Sequence, residues 1–333
     1  MDLNEAEIQL LAILNRATEQ GSGTAWSALE RLGETYRDYK LDWSEAVARL
    51  EARGLIRQGQ DGFALTPAGA PAAEQARKAR SDVWWYWYRD FYAKAPASAA
   101  YAAYCERVYG ASLCQHGMMD MAELSQLLGV LDLDGGRRVL DLGCGAGFIA
   151  ERISEQTGAR VMGIDYAAPA IETALERTAE KRDRLTFARA DMNALDLPAA
   201  YFDTVISIDT LYFVDDIRST LESVLPALKP GGQMGIFFTQ WLEAGDPASQ
   251  LEPDNTWLAQ ALKQLDLAYR TWDFTENVKR HWRLNQEVIE ELKPRFEAEG
   301  NRFLYDFRMI ECEEFLPMVE AGEISRFLYH LRV

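Results

Sequence analysis

The chain has 333 residues, 48% of them hydrophobic, and its 52 acidic against 35 basic side chains give a formal charge of −17. That is enough chain and apolar surface for two domains of ordinary size. No run approaches the roughly 18 consecutive apolar residues of a membrane span, and no local basic patch offsets the field that would repel a nucleic-acid backbone.

The N-terminal stretch has neither the basic nor the apolar region of a secretory signal. Cys105, Cys114, Cys144 and Cys312 are scattered, with no C-x-x-C and no metal-like pairing with histidine. They read as reduced packing residues of a cytoplasmic protein, and no metal is expected.

Asn4 followed by Glu7 predicts a capping box opening a helix whose apolar side is Leu10, Leu11, Ile13 and Leu14. A helix over Ala25–Tyr36 follows, then one over Trp43–Arg53 stopped by Gly54. Leu55 to Arg57 and Phe63 to Leu65 flank Gly59-Gln60-Asp61-Gly62, the pattern of two short strands and a turn. Thr66-Pro67-Ala68-Gly69 opens another helix. Helices followed by this small hairpin resemble a winged-helix domain over residues 3–80. That resemblance implies DNA binding, but Ser44 to Arg53 carry two glutamates, two arginines and no Asn or Gln to read base edges. A dimerisation or substrate-capping module is the preferred expectation. In Trp84 to Tyr92, aromatic residues at helical spacing predict a helix bridging the domains or a dimer; the other reading is an aromatic cage for a cationic substrate.

From Arg138 onward strands alternate with helices. The expected strands are Val139–Leu142, Val161–Ile164, Leu185–Ala188, Thr204–Ile208, Gln233–Phe238, Tyr269–Asp273 and Phe327–Leu331. The alternation predicts a doubly wound, mostly parallel sheet. Residues 274–320 are too many for a hairpin loop and hold a helix near Asn285–Glu299 that Pro294 kinks or shortens, so they are expected to form a cap.

The chemistry lies at the strand ends. An apolar strand carrying Asp141 runs into Gly143-Cys144-Gly145-Ala146-Gly147. The glycines permit a sharp turn and close approach of a ligand. Where a dinucleotide loop would carry its third glycine stands Phe148, and the acid at the strand end suits an ammonium group better than a phosphate. Asp165 ends the next strand, 18 residues beyond Gly147, placed to accept both hydroxyls of a ribose. Ala188 to Met192 end a third strand with Asp191, Phe202 to Asp209 form a fourth, and Leu228-Lys229-Pro230-Gly231-Gly232 is a helix stop and tight turn.

In order, spacing and residue type these motifs resemble the class I methyltransferases, across about residues 131–273 and the final strand. The resemblance implies a Rossmann-like α/β fold with a seven-stranded sheet and S-adenosylmethionine as cofactor. It implies Asp141, Gly143 and Gly145 at the methionine end, Asp165 and Tyr166 at the ribose, and Asp191 with Met192 at the adenine. Upstream, Tyr104 to Gly110 followed by Gln115-His116-Gly117 resemble the lid of phosphoethanolamine methyltransferases. That implies cofactor contacts from Gln115 and His116. Phe213 stands where that family carries its catalytic histidine, so the phosphobase substrate does not carry over.

Methyl transfer from a sulfonium needs alignment and exclusion of water, and a base only if the nucleophile must lose a proton. His116 is the candidate base, or else a lid residue that bonds the cofactor or a carbonyl. His281 is a weaker candidate and His330 reads as structural. Asp209 and Tyr212 are candidate catalytic groups after the fourth strand, Asp209 reading equally as a helix cap. The expected organisation is a winged-helix-like domain at 1–80, a helical bridge and lid at 81–130, and a methyltransferase domain at 131–333 with its cap at 274–320. The expected reaction is methylation of a small-molecule acceptor at O, N, S or C by a homodimer that binds neither nucleic acid nor membrane. The alternatives are a ligand-sensing DNA-binding regulator on this fold, or a protein methyltransferase with an open cleft.

Overall fold

The computed structural model describes residues 3–4, 6–8, 10–11, 14–15, 43–59, 62–80, 83–243 and 245–333. The chain divides into two compact units, Met1–Asp90 and Phe91–Val333.

In the first unit the capping box forms as the sequence predicts. The Asn4 N–H donates to Glu7 Oε2 at 2.7 Å, and the Glu7 N–H to Asn4 Oδ1 at 2.9 Å. Helix α1 (Trp43–Ala52) buries Ala46, Val47 and Leu50 at helical spacing. Strands β1 (Ile56–Gly59) and β2 (Gly62–Leu65) pair antiparallel, Ile56 opposite Leu65. Thr66 Oγ1 donates to the Gly54 carbonyl at 2.6 Å and accepts the Gly69 N–H at 3.0 Å, fixing the turn into α2 (Ala70–Arg80). The helix expected over residues 25–36 lies outside the described residues, as do Gln60 and Asp61 of the hairpin turn and the side chains of Trp84, Trp85 and Trp87. Helix α3 (Val83–Lys94) carries the aromatic run.

The second unit opens with α4 (Ala99–Tyr109) and α5 (Met121–Leu131), the latter entered through a capping box of Asp120 and Glu123. Its sheet contains β3 (Arg138–Leu142), β4 (Arg160–Asp165), β5 (Leu185–Arg189), β6 (Phe202–Ile208), β7 (Leu228–Trp241), β8 (Tyr269–Asp273) and β9 (Ile324–Arg332), in the order β5-β4-β3-β6-β7-β9-β8. The first five are parallel, and β9 runs antiparallel between β7 and β8.

Strand side chains alternate between faces. Leu140, Leu142, Val205, Met234 and Ile236 pack with α8 (Ile217–Val224) and α9 (Trp257–Gln264). Val139, Val161, Ile206, Phe237 and Leu328 pack with α5, α6 (Phe148–Thr157) and α7 (Ala168–Arg177). The chain steps from β3 outward to β4 and β5, then returns to β6 on the other side of β3. The carboxyl ends of β3 and β6 therefore meet at the reversal of strand order, where open α/β sheets bind ligands.

Between β8 and β9 the expected single helix is in fact two, α10 (Thr275–Ala298) and α11 (Arg302–Ala321). Pro294 lies inside α10 without ending it. The ring sits on the exposed side, while Val288, Ile289, Leu292 and Phe296 keep the opposite stripe buried. Burial of that stripe outweighs the one backbone bond that proline removes.

Candidate functional site

The loop after β3 is held under close neighbours. Gly143 and Gly145 have φ of +74° and +54°. A Cβ on Gly143 would collide with Thr210, and one on Gly145 with the Tyr92 hydroxyl. Both the dihedral and the space demand glycine. The Gly143 and Cys144 N–H groups donate to the Ile164 carbonyl at 2.8 and 2.9 Å, tying the loop to β4.

Three carboxylates end the strands flanking this loop. Asp141 is only 3% exposed, and no hydrogen-bond donor among the described residues reaches its carboxylate. Burial, and then the charge of Asp165, push its pKa up to about 7. Asp165 differs. Burial raises it too, but Oδ1 accepts the Ala167 N–H and Oδ2 the Gly145 N–H, each at 2.9 Å. Each oxygen keeps a further lone pair. The carbonyl of neighbouring Tyr166 accepts Arg189 Nε at 3.1 Å. Asp191 is exposed and caps its own turn through the Asn193 N–H at 2.9 Å, while Met192 rests half-buried on the sheet core. Asp141, Gly143, Gly145 and Asp165 thus converge. Asp191 and Met192 follow β5, one strand beyond β4.

The segment before α5 closes from the other side. Tyr101 Oη donates to the Gln115 carbonyl at 2.9 Å, and Gln115 Nε2 donates to the Met119 carbonyl. The Met118 N–H donates to Asp209 Oδ2 at 2.8 Å. Asp209, in left-handed backbone just past β6 (φ +58°), also accepts Tyr212 Oη at 2.7 Å and pairs with both terminal nitrogens of Arg326. Its carboxylate joins the lid to β9 and caps no helix. The α8 cap is Asp216, bonded to the Ser219 N–H at 2.6 Å. His116 lies between Phe307, stacked at 4.8 Å, and Phe91, edge-on at 5.2 Å. Its Nε2 is 3.0 Å from Glu311 Oε1. His281 is buried in α10, and neither ring nitrogen has a hydrogen-bond partner. Burial, then Arg308, Arg326 and His116, push it well below the ordinary histidine range, so it is neutral. His330 bonds Gln233 Oε1 at 2.9 Å within the sheet.

Sequence reasoning missed two fully buried arginines. Arg326 joins Asp209 to Glu123, with Nε 3.0 Å from Glu123 Oε1 and Nη1 2.8 Å from Thr239 Oγ1. Arg308 donates to the Tyr104 and Tyr109 hydroxyls at 2.9 and 3.2 Å and to the His116 carbonyl at 3.0 Å. The available signal was a cation between Ser325 and Phe327 in the largely apolar strand Ile324–Leu328, and an Arg and Glu three apart at 308 and 311 on one helix face.

Residues 139–232 match a family model described as a methyltransferase domain. Curated relatives include phosphoethanolamine N-methyltransferase of Triticum aestivum, 31% identical over 39% of this chain and 26% of that protein. Another is 27-O-demethylrifamycin SV methyltransferase of Amycolatopsis mediterranei, 32% identical over 41% of this chain and 54% of that protein. The match thus spans between a quarter and about half of those relatives' length. Among solved structures, Haemonchus contortus phosphoethanolamine N-methyltransferase 2 in complex with S-adenosyl-L-methionine superposes with a TM-score of 0.54 at 19% identity. That match covers 81% of this chain and 62% of that one. The [4+2]-cyclase SpnF superposes at 0.52 and 20% identity, covering 63% and 78%. These likenesses establish the Rossmann-like fold.

Proposed function

We propose that this chain is an S-adenosylmethionine-dependent methyltransferase acting on a small molecule. The observation that carries the reading is the Asp141 carboxylate, buried beside the glycine loop with no donor among the described residues. Such a group costs several kcal/mol when charged and alone, and a ligand's ammonium would satisfy it. S-adenosylmethionine fits: Asp141 would hold the ammonium, Gly143 and Gly145 the methionine chain, Asp165 and Tyr166 the ribose, and Asp191 with Met192 the adenine. When bound, it supplies a methyl group already activated on a sulfonium. The chain's own residues then align the acceptor and exclude water.

Gln115 and His116 close the cofactor side of the lid, and His116, Asp209 and Tyr212 bound the acceptor side. Asp209, already engaged by Arg326, the Met118 N–H and Tyr212, fixes the wall; His116 is the candidate base. The phosphobase substrate of the wheat relative is not proposed here, because Phe213 brings no imidazole to the loop after β6. Calorimetry with S-adenosylhomocysteine tests the reading. Binding in the micromolar range, about −8 kcal/mol, is expected, and Asp165→Ala should weaken it by about 1.5–3 kcal/mol. Equal affinity in that variant would remove Asp165 from the site.

The N-terminal unit is read as a winged-helix-like module for dimerisation or substrate capping. The apolar run of Trp84 to Tyr92 favours a homodimer, which light scattering would contradict by returning a monomer mass. Acidity and the absence of Asn or Gln from Ser44 to Arg53 speak against DNA. Specific nanomolar binding in an anisotropy titration at physiological salt would overturn that part.

A further inference from the structure

The buried face of α10 carries polar atoms that no side chain answers. His281 is 5% exposed, and neither of its ring nitrogens has a hydrogen-bond partner. Next to it, Trp282 is 2% exposed and its Nε1 is equally unmet. One turn beyond His281, Asn285 is fully buried. Its Oδ1 accepts Tyr104 Oη at 2.8 Å, while its Nδ2 has no acceptor. A buried polar group left dry is destabilising, so orphans of this kind point to something outside the chain that satisfies them. Met118 and Tyr212 join this face to the glycine loop. Both pack in one apolar cluster with Trp282, and both bond Asp209, through the Met118 N–H at 2.8 Å and Tyr212 Oη at 2.7 Å. Thr210, next to Asp209, lies against Gly143.

The surroundings are aromatic. The Tyr109 ring is 5.4 Å from that of His281, Phe315 stacks on Trp282 at 4.6 Å, and Trp241 meets Phe315 at 6.1 Å and Tyr212 at 5.6 Å. Aromatic walls suit either a cation or a flat uncharged ring. The nearby charge decides between them. Burial, then Arg308, Arg326 and His116, hold His281 neutral. An ammonium placed there would meet the same positive field, whereas a neutral or anionic oxygen would not. The orphan atoms agree. Trp282 Nε1 and Asn285 Nδ2 can only donate, and a neutral imidazole offers one hydrogen and one lone pair. A hydroxyl or carbonyl oxygen can accept from these donors. An ammonium, which only donates, leaves them dry.

We propose that His281, Trp282 and Asn285 of α10 form the acceptor-binding site, and that it takes a small flat ring bearing hydroxyl or carbonyl oxygens and no positive charge. The inference rests on the proposed methyl transfer and narrows its acceptor. His281 and Asn285 hold an oxygen of the ring, and the aromatic side chains around them cover its faces. A cationic amine is excluded by the field of the buried arginines.

The test uses the full chain saturated with S-adenosylhomocysteine and two probes of nearly equal size, 4-hydroxybenzyl alcohol and 4-hydroxybenzylamine, titrated by ligand-observed NMR. The alcohol should bind about tenfold or more tightly than the amine. His281→Phe, which keeps a ring and removes both nitrogens, should weaken the alcohol by about tenfold, the scale of one lost hydrogen bond, and leave the affinity for S-adenosylhomocysteine unchanged. An alcohol that does not bind overturns the inference and leaves water as the occupant of these atoms. An amine bound as tightly as the alcohol overturns it too, as does a His281→Phe variant that binds the alcohol like wild type. The comparison of the two probes needs no variant, so it decides the matter even if His281→Phe fails to fold. Calorimetry on the same sample separates the two levels. A chain that does not bind S-adenosylhomocysteine refutes the function, whereas one that binds it and not the alcohol refutes the acceptor site alone.

Discussion

Asp141 and Asp165 are both aspartates at strand ends, yet they differ because Asp165 has backbone donors and Asp141 has none among the described residues. Asp165 is held by two backbone N–H groups, so its geometry is set before any ligand arrives. Asp141 is raised to about 7 by burial and by Asp165. A cation placed against it must find it ionised. Cofactor binding should therefore release up to one proton near pH 6, seen in calorimetry as a heat that varies with the buffer's ionisation enthalpy. Affinity should rise close to tenfold per pH unit below 7 and level off above. Buffer-independent heats at pH 6 would show that Asp141 does not meet the ammonium. At this scale the convergence of Asp141, Gly143, Gly145 and Asp165 was legible, since the strands themselves space them. The surroundings of His116 were not. Tyr92 lies on α3 and Arg308 with Glu311 on α11, far apart in sequence, and the Arg–Glu spacing on α11 does not by itself separate a buried arginine from a solvated one.

The elements were legible in proportion to how cleanly each shows its period. All seven strands of the sheet were legible, most of them because they are short, largely apolar runs. The cap was read as a single short helix because α10 is rich in charge and contains Pro294, which obscures the stripe of Val278, Trp282, Ile289 and Phe296. What locks β9, β6, β7 and α5 together is a single side chain. Arg326 is fully buried and bonds Asp209, Glu123 and Thr239. Arg326→Met fills similar volume but leaves two carboxylates buried without their cation. The expected loss is about 3–5 kcal/mol, a fall of roughly 6–20 °C in melting temperature for a domain of this size. A loss below about 1 kcal/mol would mean that water replaces the guanidinium and that the network carries little of the fold.

For the whole molecule, the acidic charge and the buried carboxyls together set the response to pH. Asp141 and Glu123 both have folded-state values of about 7, Glu123 because burial outweighs the pull of Arg326. A carboxyl raised in the folded state binds its proton more tightly there than in the unfolded chain. Its stabilising contribution is complete below the unfolded value near 4 and is lost as pH rises through 7. Glu311, Glu299, Asp203 and Glu151 are shifted the other way by neighbouring cations and hydrogen-bond donors. Their contribution is lost as pH falls through their depressed values. The ligand-free protein should therefore be most stable at about pH 4–5 and should lose melting temperature as pH rises to about 7. Mutual repulsion within a chain of charge −17 adds to the same slope. Saturating S-adenosylhomocysteine, by placing its ammonium on Asp141, should remove part of that loss, so the rise in melting temperature it produces should be larger at pH 8.5 than at pH 6. In Asp141→Asn the ligand-free slope should flatten, with a gain of up to about 4 kcal/mol at pH 8.5, while the ligand-induced rise largely disappears. Thermal melts of both proteins across pH 5–9, with and without ligand, decide this. A wild-type melting temperature that climbs between about pH 5 and 7 without ligand would show that neither carboxyl is held protonated in the folded chain.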